Sequence, residues 1–181
     1  VLFDDLKIAA DEDTRESYRK HLNQYNVIYL DMTNVIGNAG AQDIIAYIKS
    51  NVTEELMYAY PDLKDGNSFD ETLIRTVELT GNKFVMIIDE WDAPIREKPD
   101  KEKSYLEFLR TLFKSSGTTD KIFAAVYMTG ILPIKKDGSQ SAISDFKEFT
   151  AVKPRKFGSY VGFTEDEVKK LCEKYGCDFV L

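Results

Sequence analysis

The chain has 181 residues, of which 43% are hydrophobic and 30% charged, with ten Gly and five Pro. This length favours one compact domain, and the composition excludes a disordered, collagen-like or linker protein. The formal net charge of -7 argues against an extended surface for nucleic-acid phosphates, because duplex binding usually needs a basic footprint.

Three short apolar runs predict buried strands, at residues 27–30, 84–88 and 122–128. The middle run has five apolar residues in succession and is bounded by turn residues. That pattern is typical of a strand buried on both faces of a parallel sheet.

Apolar residues at helical spacing predict helices between these strands, at residues 41–60, 68–80 and 105–113. Ser68 and Glu71 have the capping-box spacing at the start of the second helix. Gly37 and Gly40 predict a loop, and residues 96–103 a charged loop. Helices that connect successive strands predict right-handed crossovers and a parallel sheet of the α/β class.

After residue 133 the pattern weakens, and residues 135–144 predict a polar loop. Thr164 and Glu167 form a second capping-box pattern, which begins a predicted helix. The predicted domains are therefore an α/β core at residues 1–155 and the start of a helical lid or linker at residues 156–181.

The most informative segment is the acidic sequence after the middle run. The run delivers Asp89, Glu90 and then Asp92 to the carboxyl end of the predicted strand, where open α/β sheets bind ligands. An apolar run followed by Asp-Glu is the Walker B arrangement of P-loop NTPases. Its first acid holds Mg²⁺, usually through water, and its second polarises the water that attacks the γ-phosphate. On the pattern alone, a solvated strand end remains an alternative.

Other motifs accompany these acids in a fixed order. They are residues 88–94 (IDEWDAP), 128–134 (MTGILPI), 146–150 (FKEFT), 154–157 (PRKF) and 162–168 (GFTEDEV). In this order they resemble the predicted AAA-ATPase family of bacteria and archaea, which is related to the STAND-type NTPases. The resemblance covers most of the chain. It implies a three-layer α/β sandwich of the P-loop NTPase type with a parallel sheet and a small helical C-terminal appendage.

The resemblance also implies roles for individual residues. Asp89 matches the acid that directs Mg²⁺, Glu90 matches the catalytic base, and Thr129 falls where these folds place a polar sensor of the γ-phosphate. Asp92 belongs to the family's acidic motif, as a nucleotide-site residue or as a hydrogen-bond acceptor for the turn. Arg155 is a cation of a family motif that could approach phosphate or a partner, or could simply be solvated.

The sequence departs from the family in one respect. A P-loop NTPase needs a glycine-rich loop followed by Lys and Ser or Thr, and none of the ten glycines here is followed by Lys. In the family that loop and its strand precede the point where this chain begins. Since the chain opens on Val1, we expect an N-terminal truncation that removes the first strand and the phosphate loop. We therefore expect the 181 residues alone to bind Mg-ATP weakly and to be inactive.

The expected truncation would also leave one strand unpaired. The absent strand would lie beside residues 122–128, so we expect their edge to be covered by another segment or to mediate self-association.

The resemblance implies a fragment of an AAA-like ATPase that binds and hydrolyses Mg-ATP when complete, as a regulatory switch. Nucleic acid is an expected partner only through a nuclease-like domain, which relatives often carry downstream. Two alternatives stay open, a non-catalytic interaction module with the NTPase fold and a metal-dependent nuclease built on Asp89, Glu90 and Asp92. The nuclease would need a nearby lysine, and Lys83 and Lys98 are poorly placed for that role.

Neither a membrane-spanning segment nor a secretion signal is visible in the sequence. The two cysteines, Cys172 and Cys177, lack the paired spacing of a zinc site. We expect free or structural thiols in a cytoplasmic protein.

Overall fold

The computed structural model describes residues 3–64, 66–114, 117–133, 146–150, 152–153, 155–158 and 162–179. Its contacts group residues 1–145 and 146–181 into two compact units. The predicted division after residue 155 falls inside the second unit and stays a prediction. The predicted polar loop at residues 135–144 lies outside the described residues.

A parallel sheet forms the centre of the first unit. Its strands are β1 (Asn26–Asp31), β2 (Phe84–Asp89) and β3 (Phe123–Met128), in the spatial order β1-β2-β3. The α/β class and the three predicted strands are confirmed. Asp31 pairs in register with Asp89, so the carboxyl ends of β1 and β2 lie level with each other.

Helices precede the first strand and connect the strands of this unit. They are α1 (Lys7–Ala10), α2 (Glu12–His21), α3 (Met32–Ala39), α4 (Ile44–Ala59), α5 (Phe69–Thr80), α6 (Ala93–Glu97), α7 (Glu102–Lys114) and α8 (Thr119–Ile122), with a short 3-10 helix at Pro99–Lys101. No described helix has the length and the apolar character that crossing a membrane requires.

The predicted loop around Gly37 is wrong, because α3 covers this segment. Asp31 caps α3 by accepting hydrogen bonds from the amides of Thr33 and Asn34, and this cap stabilises a helix that starts directly after β1. Only Gly40 breaks the helix, at a positive φ of 57°.

The predicted charged loop at residues 96–103 is also wrong. It is replaced by the end of α6, the 3-10 helix and the start of α7. Pro94 and Pro99 lie in the first turns of α6 and of the 3-10 helix, where a missing amide proton costs nothing. α6 contacts α3, which starts at the carboxyl end of β1, so the chain after β2 lies close to the carboxyl edge of the sheet.

The two faces of the sheet differ in burial. One face carries the buried residues Ile28, Leu30, Phe84, Met86 and Ile88. The other carries three large side chains that are more than half exposed, Val27 at 62%, Tyr29 at 58% and Tyr127 at 58%. Both connections run in the same direction across the sheet, so right-handed crossovers place their helices on one face only.

The predicted three-layer sandwich therefore needs correction. Within the described ranges, helices cover one face of the sheet, and the face of Val27 and Tyr29 is open. The expected burial of residues 122–128 is likewise wrong for most of β3, since Ala124, Ala125 and Tyr127 are exposed. β3 pairs with β2 on one side, and no other described strand pairs with its second side.

The second unit contains a 3-10 helix at Arg155–Phe157 and α9 at Glu165–Tyr175. The predicted capping box is confirmed, because Thr164 and Glu167 exchange hydrogen bonds at the start of α9. The rings of Phe149 and Phe157 meet edge to face with centroids 4.6 Å apart. Cys172 and Cys177 are free thiols.

Candidate functional site

The candidate site lies at the carboxyl edge of the sheet in the first unit. Asp89 ends the central strand β2, and Thr129 directly follows the neighbouring strand β3. Because parallel strands bring their carboxyl ends to one edge, residues far apart in sequence meet here. The structure brings together four of the five predicted site residues: Asp89, Glu90, Asp92 and Thr129.

The Asp89 carboxylate accepts hydrogen bonds from three donors. The Thr129 hydroxyl donates to Oδ1, the Glu90 amide donates to the same oxygen at 3.2 Å, and the Tyr29 hydroxyl donates to Oδ2 at 3.2 Å. These bonds, that from Thr129 foremost, hold the pKa of Asp89 below its usual value. Asp89 is therefore ionised at neutral pH.

The hydrogen bond between Tyr29 and Asp89 shifts the pKa of Tyr29 in the opposite direction. Its hydrogen bond to the Asp89 carboxylate raises the pKa of the Tyr29 phenol, because losing the proton would place two negative charges side by side. Tyr29 therefore remains a hydrogen-bond donor at neutral pH. Sequence patterns gave Tyr29 only a place in a strand, since its contact with Asp89 depends on the register between β1 and β2.

Asp89 differs from its acidic neighbours in one property. Glu90 and Asp92 both form ion pairs with Arg96, whereas Asp89 forms none with a described Lys, Arg or His. Its ionised carboxylate is half-buried at the edge of the sheet. Such a group fits a hard cation such as Mg²⁺, which proteins often bind through one or two carboxylates together with waters and substrate phosphates. The described residues contain no cluster of three metal-ligating side chains, so water and substrate would supply the other ligands.

Glu90 occupies an unusual backbone position. Its φ is +53°, in the left-handed region that residues with a side chain rarely adopt. Its carboxylate oxygen Oε2 lies 2.7 Å from Nη2 of Arg96, and its side chain is 41% exposed. Glu90 is thus fixed by an ion pair and remains accessible to solvent.

Asp92 is fully buried and serves as an anchor between two loops. Its oxygens accept hydrogen bonds from the amides of Ile131 and Leu132, each at 3.2 Å, and from Nε of Arg96 at 2.9 Å. These bonds tie the loop after β2 to the loop after β3. With no exposed side-chain surface, Asp92 fits the turn-stabilising alternative that the sequence left open.

Backbone contacts reinforce this junction of the two loops. The Trp91 amide donates to the Thr129 carbonyl at 2.9 Å, and the Thr129 amide donates to the Ile88 carbonyl at 3.0 Å. Gly130 follows, and a Cβ there would lie 2.6 Å from Cδ1 of Trp91 and also against the Asp92 carboxylate. Glycine is required because these two buried side chains fill the space.

The Gly130→Ala substitution is expected to lower the free energy of unfolding by about 1–3 kcal/mol, the usual cost of inserting a methyl group into packed surroundings. Denaturant unfolding measures the change. Gly37→Ala is the matched control, because a Cβ at Gly37 meets nothing within 4 Å and Ala in a helix interior is favoured by about 0.5–1 kcal/mol. Equal effects of the two substitutions would contradict the packing at Gly130.

Tyr105 of α7 lies close enough to this junction for the Asp92 charge to act on its phenol. Burial, with a smaller contribution from Asp92, raises the pKa of Tyr105. Its hydroxyl has no hydrogen-bond partner among the described residues, and such a buried group costs free energy.

The Tyr105→Phe substitution is therefore expected to raise the free energy of unfolding by about 1 kcal/mol, because it removes an unsatisfied buried hydroxyl. Thermal or denaturant unfolding tests this, with Tyr58→Phe as control, since Tyr58 is 92% exposed. A loss of stability in Tyr105→Phe would mean that the hydroxyl makes a stabilising bond.

Arg155, the fifth predicted site residue, lies in the second unit. It is exposed and has a φ of +50° at the start of the 3-10 helix. Its predicted approach to phosphate stays a prediction.

Arg96 joins the candidate acids through two ion pairs, although the sequence predicts only a charged loop for it. One signal was available, since Asp92 and Arg96 have the i,i+4 spacing of a helical ion pair. The second ion pair, with Glu90, depends on the left-handed backbone at Glu90 and has no signal in the sequence.

Comparison with known families supports the resemblance on which these roles rest. The sequence model of a family described as predicted AAA-ATPase matches residues 1–139, which include the acidic segment and Thr129. The chain belongs to the predicted AAA-ATPase family. Comparison with curated proteins and with solved structures gave no match. The described candidate site of this AAA-ATPase-like chain lies within the matched residues, whereas Arg155 lies outside them.

Proposed function

We propose that this chain carries the Walker B part of an ATPase site of the P-loop NTPase type, which binds and hydrolyses Mg-ATP in the complete natural protein. The observation that carries this proposal is the ionised Asp89 at the end of the central strand, bonded to Thr129 and without an ion-pair partner among the described residues. The match to a family described as predicted AAA-ATPase supports ATP as the nucleotide.

In this proposal each residue at the edge has its own task. Asp89, with its orientation fixed by Thr129 and Tyr29, would hold Mg²⁺ through water. Bound there, Mg²⁺ supplies positive charge to the phosphate oxygens. Thr129 lies beside Asp89 and would sense the γ-phosphate by moving its one hydroxyl proton from Asp89 to a phosphate oxygen when nucleotide binds.

Glu90 would act on the attacking water. As the oxygen of that water bonds to the γ-phosphorus, the bond between the γ-phosphorus and the bridging oxygen of ADP breaks. Glu90 accepts the proton that the water loses. Its exposed carboxylate supports this role.

The phosphate-binding part of such a site needs a sequence that these residues do not contain, since none of the ten glycines is followed by Lys. We therefore expect the 181 residues alone to bind Mg-ATP weakly and to be catalytically inactive. The same feature favours a second candidate function, a non-catalytic interaction module with the NTPase fold. That candidate predicts that the complete natural protein also fails to bind Mg-ATP.

The Asp89→Ala substitution in the complete natural protein is expected to weaken Mg-ATP binding by roughly 10- to 100-fold, the cost of one charge-assisted contact. Binding of ATP in the presence of EDTA should change little, because Asp89 acts through the cation. Titration calorimetry measures both.

Asp62→Ala is the control for this experiment, because Asp62 is an exposed residue of the turn between α4 and α5. Unchanged Mg-ATP affinity in Asp89→Ala would refute the proposed role of Asp89. Absence of binding by the unmodified natural protein would favour the interaction module.

The other predicted properties remain proposals. They are a regulatory use of the ATP cycle, self-association through the second side of β3, a nucleic-acid partner through a further domain, and a cytoplasmic location. The nuclease alternative gains no support, because Glu90 and Asp92 are paired with Arg96 and no described cluster of three acids faces one metal position.

A further inference from the structure

A continuous polar network joins the proposed sensor loop to the proposed catalytic base. It begins at the amides of Ile131 and Leu132 and passes through Asp92 and Arg96 to Glu90. The link from Asp92 to Glu90 is a single guanidinium group. Nε of Arg96 lies 2.9 Å from the Asp92 carboxylate, and Nη2 lies 2.7 Å from the Glu90 carboxylate.

The geometry of Arg96 suits a residue that orients another. Its planar guanidinium presents several donors in a fixed arrangement, so one group can hold two carboxylates at once. Asp92 is fully buried, with its oxygens also bonded to two backbone amides. Arg96 therefore pairs on one side with a fixed anchor and on the other with a side chain that reaches solvent.

Glu90 needs such support more than an ordinary edge residue does. Its backbone adopts a left-handed conformation, which costs free energy unless surrounding contacts impose it. A carboxylate on a partly exposed side chain would otherwise sample several rotamers. The ion pair engages oxygen Oε2, and it leaves Oε1 able to accept a proton from water.

We propose that Arg96 is a positioning residue that uses the buried Asp92 as its anchor and holds the Glu90 carboxylate in the orientation needed to receive a proton from the attacking water. This inference rests on the proposed function, and it assigns Arg96 no contact with nucleotide. Loss of Arg96 should therefore slow hydrolysis without weakening ATP binding.

The test is a double-mutant cycle in the complete natural protein, with Arg96→Ala, Glu90→Gln and the combined variant. Arg96→Ala is expected to lower kcat for ATP by about 10- to 100-fold, the scale of a misplaced catalytic group, and to leave KM within about twofold. In the Glu90→Gln background, Arg96→Ala should lower kcat no further, because Arg96 acts only through Glu90.

Arg75→Ala is the matched control for this cycle. Arg75 also forms an i,i+4 pair with a carboxylate, that of Glu71, and its side chain is 34% exposed against 32% for Arg96. It lies on α5, donates a hydrogen bond to the Lys64 carbonyl and has no role assigned in the proposed site, so its loss should leave kcat unchanged. Arg96→Lys serves if the alanine variant does not fold. The ammonium group of a lysine is a point charge that can form only one of the two ion pairs of Arg96. The kcat of Arg96→Lys should therefore fall between those of the unmodified protein and the alanine variant.

The outcomes separate this inference from the proposed function. If the unmodified protein hydrolyses ATP and Glu90→Gln stops hydrolysis, but Arg96→Ala or Arg96→Lys keeps the original kcat or raises it, Arg96 does not position Glu90. An equal loss of kcat on adding Arg96→Ala to Glu90→Gln would also overturn the inference. If the unmodified protein does not hydrolyse ATP, the proposed function fails first, and the role of Arg96 fails with it.

Discussion

Replacing Glu90 by Gln in the complete natural protein is expected to lower kcat for ATP by about 10²- to 10⁴-fold, the usual contribution of a positioned general base. The amide keeps the size of the side chain but cannot take the proton that the attacking water loses. Since Glu90 has no assigned role in holding the nucleotide, KM for ATP should change little. Steady-state phosphate release at saturating Mg²⁺ measures both constants.

Glu97→Gln provides the control for the charge change. Glu97 ends helix α6, which also carries Arg96, and is exposed, so its substitution removes one negative charge close to the site without touching the network. It should leave kcat within about twofold. A Glu90→Gln protein that hydrolyses ATP at the original rate would assign the base to another residue.

Replacing Asp92 by Ala is expected to lower the free energy of unfolding by about 3–5 kcal/mol, because it removes a fully buried carboxylate that accepts three hydrogen bonds, and a hydrogen bond to a charged group contributes about 1.5–3 kcal/mol. The substitution leaves two backbone amides of the loop after β3 without their acceptor and removes the anchor of Arg96. Denaturant unfolding of the 181-residue chain measures the change. Asp92→Asn should cost less, because its amide oxygen can still accept from one of the amides.

Asp100→Ala is the control for this substitution. The Asp100 side chain is 72% exposed and lies 3.9 Å from its cationic partner Lys101, so its removal should change stability by less than about 1 kcal/mol. An Asp92→Ala loss of the same small size would mean that Asp92 is not the anchor between the two loops.

The strands could be predicted from the sequence because each is a short apolar run bounded by turn residues. The helices were harder to place where local signals conflict. Gly37 predicts a loop, but α3 forms there, because the capping interaction of Asp31 at its start stabilises the helix despite one glycine. The sequence does not predict the open face of the sheet, for a different reason. Val27 and Tyr127 are apolar or aromatic, and composition alone does not show which face of a strand the helices cover.

The residues of the candidate site also fall into two groups, those that the sequence predicts and those that it does not. Asp89, Glu90 and Thr129 could be predicted because their positions follow from the ends of two strands and from the family resemblance. Tyr29 and Arg96 could not, since their contacts arise from strand register and from an unusual backbone angle at Glu90. Both contact residues that the sequence did identify, so the sequence located the candidate site but not the side chains that bond to its acids.

The most direct test of the account is a crystal structure of the complete natural protein with Mg²⁺ and a non-hydrolysable ATP analogue. The account predicts that the cation lies at the carboxyl edge of the sheet and contacts Asp89 through water, with Glu90 directed toward the γ-phosphate. Nucleotide bound away from this edge, or a cation that makes no contact with Asp89 even through water, would contradict it.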